Sequence, residues 1–457
     1  MGKTLILLLW AASCALDAAA PAVFAIRDAR IVTVSGPVLD RGVVLIRDGL
    51  IQEVGASVTV PPDAWVIEGK GLTVYPGLID ALSTLGIAEA AATTVTTRGS
   101  SRTPGRPSTP STPSTPSETP GPPGLPSMVT TTGPPAQGPE DRPSNTSWVR
   151  AADLISPTDR RLESARSAGF TTAVTFPPRG IFAGQGAVIN LAGEKAGQMV
   201  IASPAGLYLT VSGGGFSSFP GSLFGVMAYI RQVFLDTENY VLAKQAYQNQ
   251  PAGTRRPAYD RALEGLLDAQ RLLIPASRAV ELDRMIRFAA ELKRKAVLYG
   301  GHEAYRVTDL LKKSGTPLLV SLRWPERSRD ADPEDQEPLR TLELRERAPS
   351  TPAALVKAGV PFAFYTEGVS TSRELQRAIK RALDAGLSPA DALRAFTLSP
   401  AEIYGVADRL GSLDKGKIAN LVVTSGELFQ EKTQVKYVFI DGLKYEPLPE
   451  TPEEVTR

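Results

Sequence analysis

Through its middle the chain alternates short apolar runs with helical periodicity, and this alternation limits the fold more than any other feature. Thr171 to Phe176, Gly186 to Leu191, Leu207 to Val211, Leu272 to Ile274, Lys295 to Tyr299, Leu318 to Leu322 and Phe362 to Tyr365 each have the length of a buried strand. Among them, residues 280–295 (VELDRMIRFAAELKRK) set Leu282, Ile286, Phe288, Ala289 and Leu292 at near-helical spacing. Strands alternating with helices argue for an α/β protein with a parallel sheet, open or closed. A (β/α)8 TIM-like barrel takes about 250 residues, and residues 75–405 can hold one with insertions.

Both ends have a different grammar. In residues 22–74, Val43 to Arg47 and Leu50 to Val54 flank Asp48-Gly49, a pair that accommodates the positive φ angles of a type I′ hairpin turn. Residues 410–427 and 435–445 repeat the strand-turn-strand pattern. The expectation is a small composite β-sandwich built from residues 22–74 and 406–447, with a tail at 448–457.

Composition narrows the partners. With 50 Lys+Arg against 48 Asp+Glu, the net charge of +2 gives no electrostatic reason to expect nucleic acid or an anionic membrane surface. Residues 1–20, MGKTLILLLWAASCALDAAA, have the pattern of an export signal, and the apolar run is too short to span a bilayer. Cys14 is the only cysteine and ends Ala11-Ala12-Ser13-Cys14, a loose lipobox. It is either discarded with the leader or carries a lipid that tethers the mature chain to a bacterial envelope. The expected location is periplasmic or extracellular, with membrane contact only through such a lipid.

Residues 97–146 contain repeated Ser-Thr-Pro and almost no large apolar side chains, so a disordered insertion is expected there. Asn145-Thr146-Ser147 matches the N-glycosylation pattern.

Three regions together carry a family resemblance. Residues 66–81 read VIEGKGLTVYPGLIDA; residues 297–321 read VLYGGHEAYRVTDLLKKSGTPLLVS; and GVPFAFYTEG (359–368) is followed by ALRAFTLSPAEIYGVADRLGSLDKGKIANLVV (392–423). In combination they resemble the amidohydrolase superfamily, specifically its imidazolonepropionase-like branch. The resemblance implies hydrolysis of C–N bonds in cyclic amides or dipeptide-like substrates, assisted by Zn²⁺ or another divalent metal that polarises the carbonyl and activates water. It also implies a carboxylate at the end of strand 8 to take the water's proton.

The motif departs from the family where the ligands should be. The two strand-1 histidine places hold Leu82 and Thr84, and the later ones fall at Pro275 and Gly300. The whole chain has one histidine, His302, so the family's metal site cannot be assembled from imidazoles. The strand-8 Asp becomes Glu367 after Thr366, and the returning strand has Asn420 where the family has Asp. Asp80, Glu303 and Glu367 are candidate hard-oxygen ligands, although Asp80 could equally satisfy a buried polar network. His302 is a candidate general base oriented by Glu303 or Glu367, or else a polar residue at a helix start. Glu194 is a nearby candidate for the family's bridging residue. Arg278, and Arg306 with Tyr305, could line a pocket for an acidic ligand or belong to surface ion pairs.

The leading expectation is an exported amidohydrolase-family protein with a degenerate metal site, without a resident cofactor, that binds a small-molecule ligand with little or no catalysis. One alternative is a hydrolase remodelled around Glu367 and His302. Another is an envelope-tethered scaffold subunit, as a homo-oligomer or beside an intact paralogue.

Overall fold

The computed structural model describes residues 23–87, 142–211, 219–328, 330–332, 334, 336–369 and 371–447. The leader with Cys14, residues 88–141, which take in the Pro-rich insertion from 97 to 141, and the tail 448–457 lie outside the described residues.

The amino-terminal strands are β1 (Val23–Ile31), β2 (Leu39–Arg47), β3 (Leu50–Gly55), β4 (Trp65–Glu68) and β5 (Thr73–Pro76). Asp48 and Gly49 both take positive φ, 51° and 79°, and Arg47 pairs with Leu50 across them, as the Asp-Gly signal requires. The central strands are β6 (Leu78–Ser83), β7 (Phe170–Thr175), β8 (Phe182–Gln185), β9 (Ala187–Asn190), β10 (Val200–Ala202), β11 (Leu207–Leu209), β12 (Leu272–Ala276), β13 (Ala296–Gly300), β14 (Leu318–Ser321) and β15 (Phe362–Tyr365). The chain closes with β16 (Leu421–Thr424), β17 (Val435–Ile440) and β18 (Leu443–Tyr445).

The two ends meet in one eight-stranded mixed sheet, in which β16 runs antiparallel to β5 and pairs Leu421 with Pro76. Phe24 and Phe439 pack edge to face in its core, with ring centroids 5.3 Å apart. A second, facing sheet is not distinguished by the strand pairing.

The middle forms two arcs. In one, β6 runs parallel to β7, and β9 and β10 follow antiparallel. In the other, β11 to β15 are parallel neighbours in sequence order, with β8 antiparallel at the edge. The outer ends, β6 and β15, lie side by side without a ladder between them. Residues alternate between two cores, as strands covered on both faces demand. Ile79, Ala81, Val174, Leu273, Val297, Leu319 and Ala363 pack against one another on the inner face. Leu272, Ile274, Leu298, Leu318, Val320, Phe362 and Phe364 belong to the outer core. That core also holds Leu282 and Phe288 of the helix Ala279–Glu291, which spans most of the periodic segment at 280–295. Burying each such side chain contributes roughly 1.5–3 kcal/mol.

Residues 142–146 depart from the expected disordered insertion. Arg142 bridges Asp236 of the helix Leu223–Asn249 and Asp260, which caps the helix Arg261–Leu267. Asn145 pairs by its backbone with Phe182 and is buried, with its Nδ2 enclosed, so the folded chain does not present it to a glycosylating enzyme.

Candidate functional site

Inner-face alternation determines what reaches the strand ends. On β11, β13 and β15 the same parity that buries Val297 and Ala363 brings Tyr208, Tyr299 and Tyr365 to one cavity, which Phe176 joins just past β7. The rings form a chain: Phe176 to Tyr208 at 5.4 Å, Tyr208 to Tyr299 at 5.3 Å and Tyr299 to Tyr365 at 6.5 Å between centroids. The cavity measures about 700 Å³ and also takes in Asp80, Leu82, Thr84, Arg160, Arg161 and Glu367. A larger cavity of about 1090 Å³ lies between the helix Ser372–Asp384 and the terminal strands, and no residue of β11 to β15 lines it, so the aromatic one is the functional candidate.

The tyrosine hydroxyls are engaged. Tyr299 donates to the Leu209 carbonyl at 2.9 Å and hydrogen-bonds with Tyr208, while Tyr365 donates to Glu367 Oε2 at 3.3 Å. Burial pushes the phenols of Tyr208, Tyr299 and Tyr365 up, and the Glu367 charge adds to this, so all three stay neutral.

Glu367 is exposed, with φ 48°. Its Oε2 accepts a short hydrogen bond from Ser321 Oγ at the end of β14 as well as the one from Tyr365. Ser321 is fully buried, and its Oγ also accepts from Arg323 N at 3.0 Å, so it positions Glu367 and cannot reach a ligand.

Asp80 occupies the gap between β6 and β15. Thr366 gives it two hydrogen bonds, from N at 3.0 Å and Oγ1 at 2.6 Å, one to each carboxylate oxygen. Burial pushes its carboxyl up to about 6, against those bonds and one from the Leu82 backbone.

The other sequence candidates separate. Leu82 and Thr84 line the cavity, but Leu82 has no donor atom and Thr84 Oγ1 accepts from Arg161 at 3.0 Å. Pro275 pairs with Tyr299 across β12 and β13, which gives it the inner parity. Gly300 is a correction: the residue after Tyr299 has the opposite parity and takes φ 111°, and a Cβ there would lie 2.4 Å from Ser277 Oγ. The inward position on that strand is Tyr299.

His302 is also displaced from the cavity. Its ring packs on Trp324 with centroids 5.9 Å apart, it hydrogen-bonds to the Ser321 backbone, and its Nε2 is buried without a partner. Burial holds it below the usual histidine range, against the pull of Glu367. Glu303 is buried and caps the helix Ala279–Glu291 through a 2.9 Å hydrogen bond from Ala279 N, so it faces a helix end. Arg278 pairs with Glu281 at the surface, Arg306 pairs with Glu343 against Tyr305, and Glu194 is exposed in a turn. Sequence reading missed Tyr208, Tyr299, Tyr365, Phe176, Ser321 and Arg161. Strand parity was the signal available for the tyrosines.

The donor set does not fit the divalent metal that the resemblance implies. Among the described residues no group of three or more His, Cys, Asp or Glu side chains could hold one. Asp80 has both oxygens occupied by Thr366, Glu367 stands alone, and the inward position on β13 is a neutral phenol whose hydroxyl is already bonded.

Comparison with known proteins agrees with this geometry at the level of fold. Residues 291–444 match the amidohydrolase family. An amidohydrolase from Thermotoga maritima MSB8 superposes with a TM-score of 0.72 at 24% identity, over 93% of this chain and 100% of that one. A Xaa-Pro dipeptidase with methionine bound in its active site has a TM-score of 0.52 at 15% identity, over 93% and 100%. A putative prolidase from Bifidobacterium longum has 0.52 at 16%, over 94% and 97%. No curated protein matches the chain. The chain therefore carries an amidohydrolase-family domain, matched in sequence over residues 291–444, with the fold of such proteins along more than nine-tenths of its length.

Proposed function

We propose that the two arcs act as a (β/α)8-type barrel whose mouth binds a small organic molecule without a metal-activated water, so that the protein is a binding or weakly catalytic member of its family. The observation that carries this is the aromatic wall of Tyr208, Tyr299 and Tyr365, which shares the cavity with Leu82 and Thr84, two of the places where the resemblance would put ligating imidazoles. Metal content of untagged protein, measured by plasma mass spectrometry before and after incubation with Zn²⁺, Mn²⁺ or Mg²⁺, tests it. The expected stoichiometry is far below one per chain. One tightly held ion per chain would overturn the reading.

One observation favours a second reading. Glu367 is held from one side by Ser321 and Tyr365 at the cavity wall, which is how a general base is positioned. On that reading the chain hydrolyses an amide or dipeptide-like substrate with water activated by Glu367 alone. A turnover assay on a panel of N-acyl amino acids and dipeptides, with Glu367→Gln as control, decides it: activity lost in the variant supports it, and no activity in the parent removes it.

A further inference from the structure

The cavity's composition suits one class of ligand. Four aromatic rings from four different strands or strand ends line a single enclosure; of the two carboxylates in its lining, Asp80 is buried and takes both hydrogen bonds from Thr366, while Glu367 is exposed. The tyrosine hydroxyls are spent on Leu209, on one another and on Glu367, which leaves the rings as the contact surface. Among the described residues, the bonds from Ser321 and Tyr365 both go to Oε2 of Glu367, which lines the same cavity. Of the two cavity arginines, Arg161 is bound to Asp159, to Thr84 and to the Ile87 carbonyl, and Arg160 is exposed to solvent. Electron-rich ring faces with an exposed carboxylate at their side attract a large, weakly hydrated cation, since the ring quadrupole favours it without the desolvation cost of a small ion.

We propose that this cavity is a cage for an organic cation of the substituted-ammonium class, with Phe176, Tyr208, Tyr299 and Tyr365 surrounding the methylated nitrogen and Glu367 as its counter-charge. Neutral phenols suit this role because they keep the ring face and add no charge of their own. The assignment rests on the metal-free reading of the same site and deepens it.

Titration calorimetry on the full chain tests it with tetramethylammonium, choline and the neutral choline isostere 3,3-dimethylbutanol. The expected result is binding of both cations with a preference of about tenfold or more over the isostere. Tyr208→Leu should weaken choline binding by about tenfold while Tyr208→Phe, which keeps the ring, retains it. Glu367→Gln, on an exposed residue, should weaken choline and leave the isostere unchanged, and it carries the test if Tyr208→Leu does not fold. Equal binding of cation and isostere, or no cation binding by folded protein, overturns the cage. Metal content of the same preparation separates the failures: a tightly held metal removes the metal-free reading and the cage with it, whereas metal-free protein indifferent to charge removes the cage alone.

Discussion

Asp80 on β6 and Thr366 just past β15 join the two outer strands of the arcs where no ladder of backbone bonds does so. The carboxylate takes the Thr366 N–H and its hydroxyl at once, so a seam that would leave a buried donor unpaired is closed by a side chain. Removing only the hydroxyl, in Thr366→Val, keeps the shape and the backbone bond. A hydrogen bond to a charged group contributes about 1.5–3 kcal/mol, and a loss in that range is expected in urea unfolding. An unchanged midpoint would mean that the seam is held by packing alone.

The same carboxylate makes stability depend on pH. Its folded value of about 6 lies above the ordinary 3.8, so the folded state holds the proton more tightly than the unfolded chain does. Stability from this group is therefore fully present below about 3.8 and lost as pH rises through about 6, a total change of about 3 kcal/mol. Asp80→Asn removes the titration. The variant's stability relative to the parent should rise between pH 4 and pH 7, read from urea midpoints across that range. A constant difference over the range would contradict the assignment.

Parity explains what was legible. The positions PGLID and VLYGG can be read from residue type, and the hairpin at Asp48-Gly49 follows from local backbone chemistry alone. Which of two adjacent residues faces inward depends on register, and a slip of one residue moved the β13 position from Tyr299 to Gly300. Residue type alone leaves Glu303 and His302 open for a different reason: beyond the strand end the chain turns, and only the packing of the helix Ala279–Glu291 and of Trp324 decides where those side chains go.

This register makes a direct prediction about rebuilding the family's histidines. Gly300→His must force a left-handed φ on a bulky residue and push its Cβ into Ser277, and the strained backbone alone costs about 1–3 kcal/mol. Tyr299→His places an imidazole on the cavity wall without either conflict. Thermal unfolding should therefore show Gly300→His much the less stable, and equal melting temperatures would reject the parity assigned to β13.

Asn420 shows how a departure from the family pattern is accommodated. Its Nδ2 donates to Thr172 Oγ1 at 3.0 Å and to Asn190 Oδ1 at 2.7 Å, and its Oδ1 accepts from Asp441 N at 2.8 Å, so one buried amide joins β7, β9 and the turn between β17 and β18. Asn420→Ala strands all three partners, and since each buried unpaired group costs about 1–3 kcal/mol, a loss of roughly 3 kcal/mol or more is expected. Asn420→Asp, the family's residue, keeps the acceptor for Asp441 N. The Thr172 hydroxyl and the Asn190 amide can each turn to donate to the new oxygen, which leaves chiefly the desolvation of the carboxylate. Urea unfolding at pH 7 should place Asn420→Asp between the parent and Asn420→Ala. If the two variants were equally unstable, the Asn190 and Thr172 partners would be unable to reverse polarity, and asparagine would be required here by the surrounding hydrogen-bond pattern.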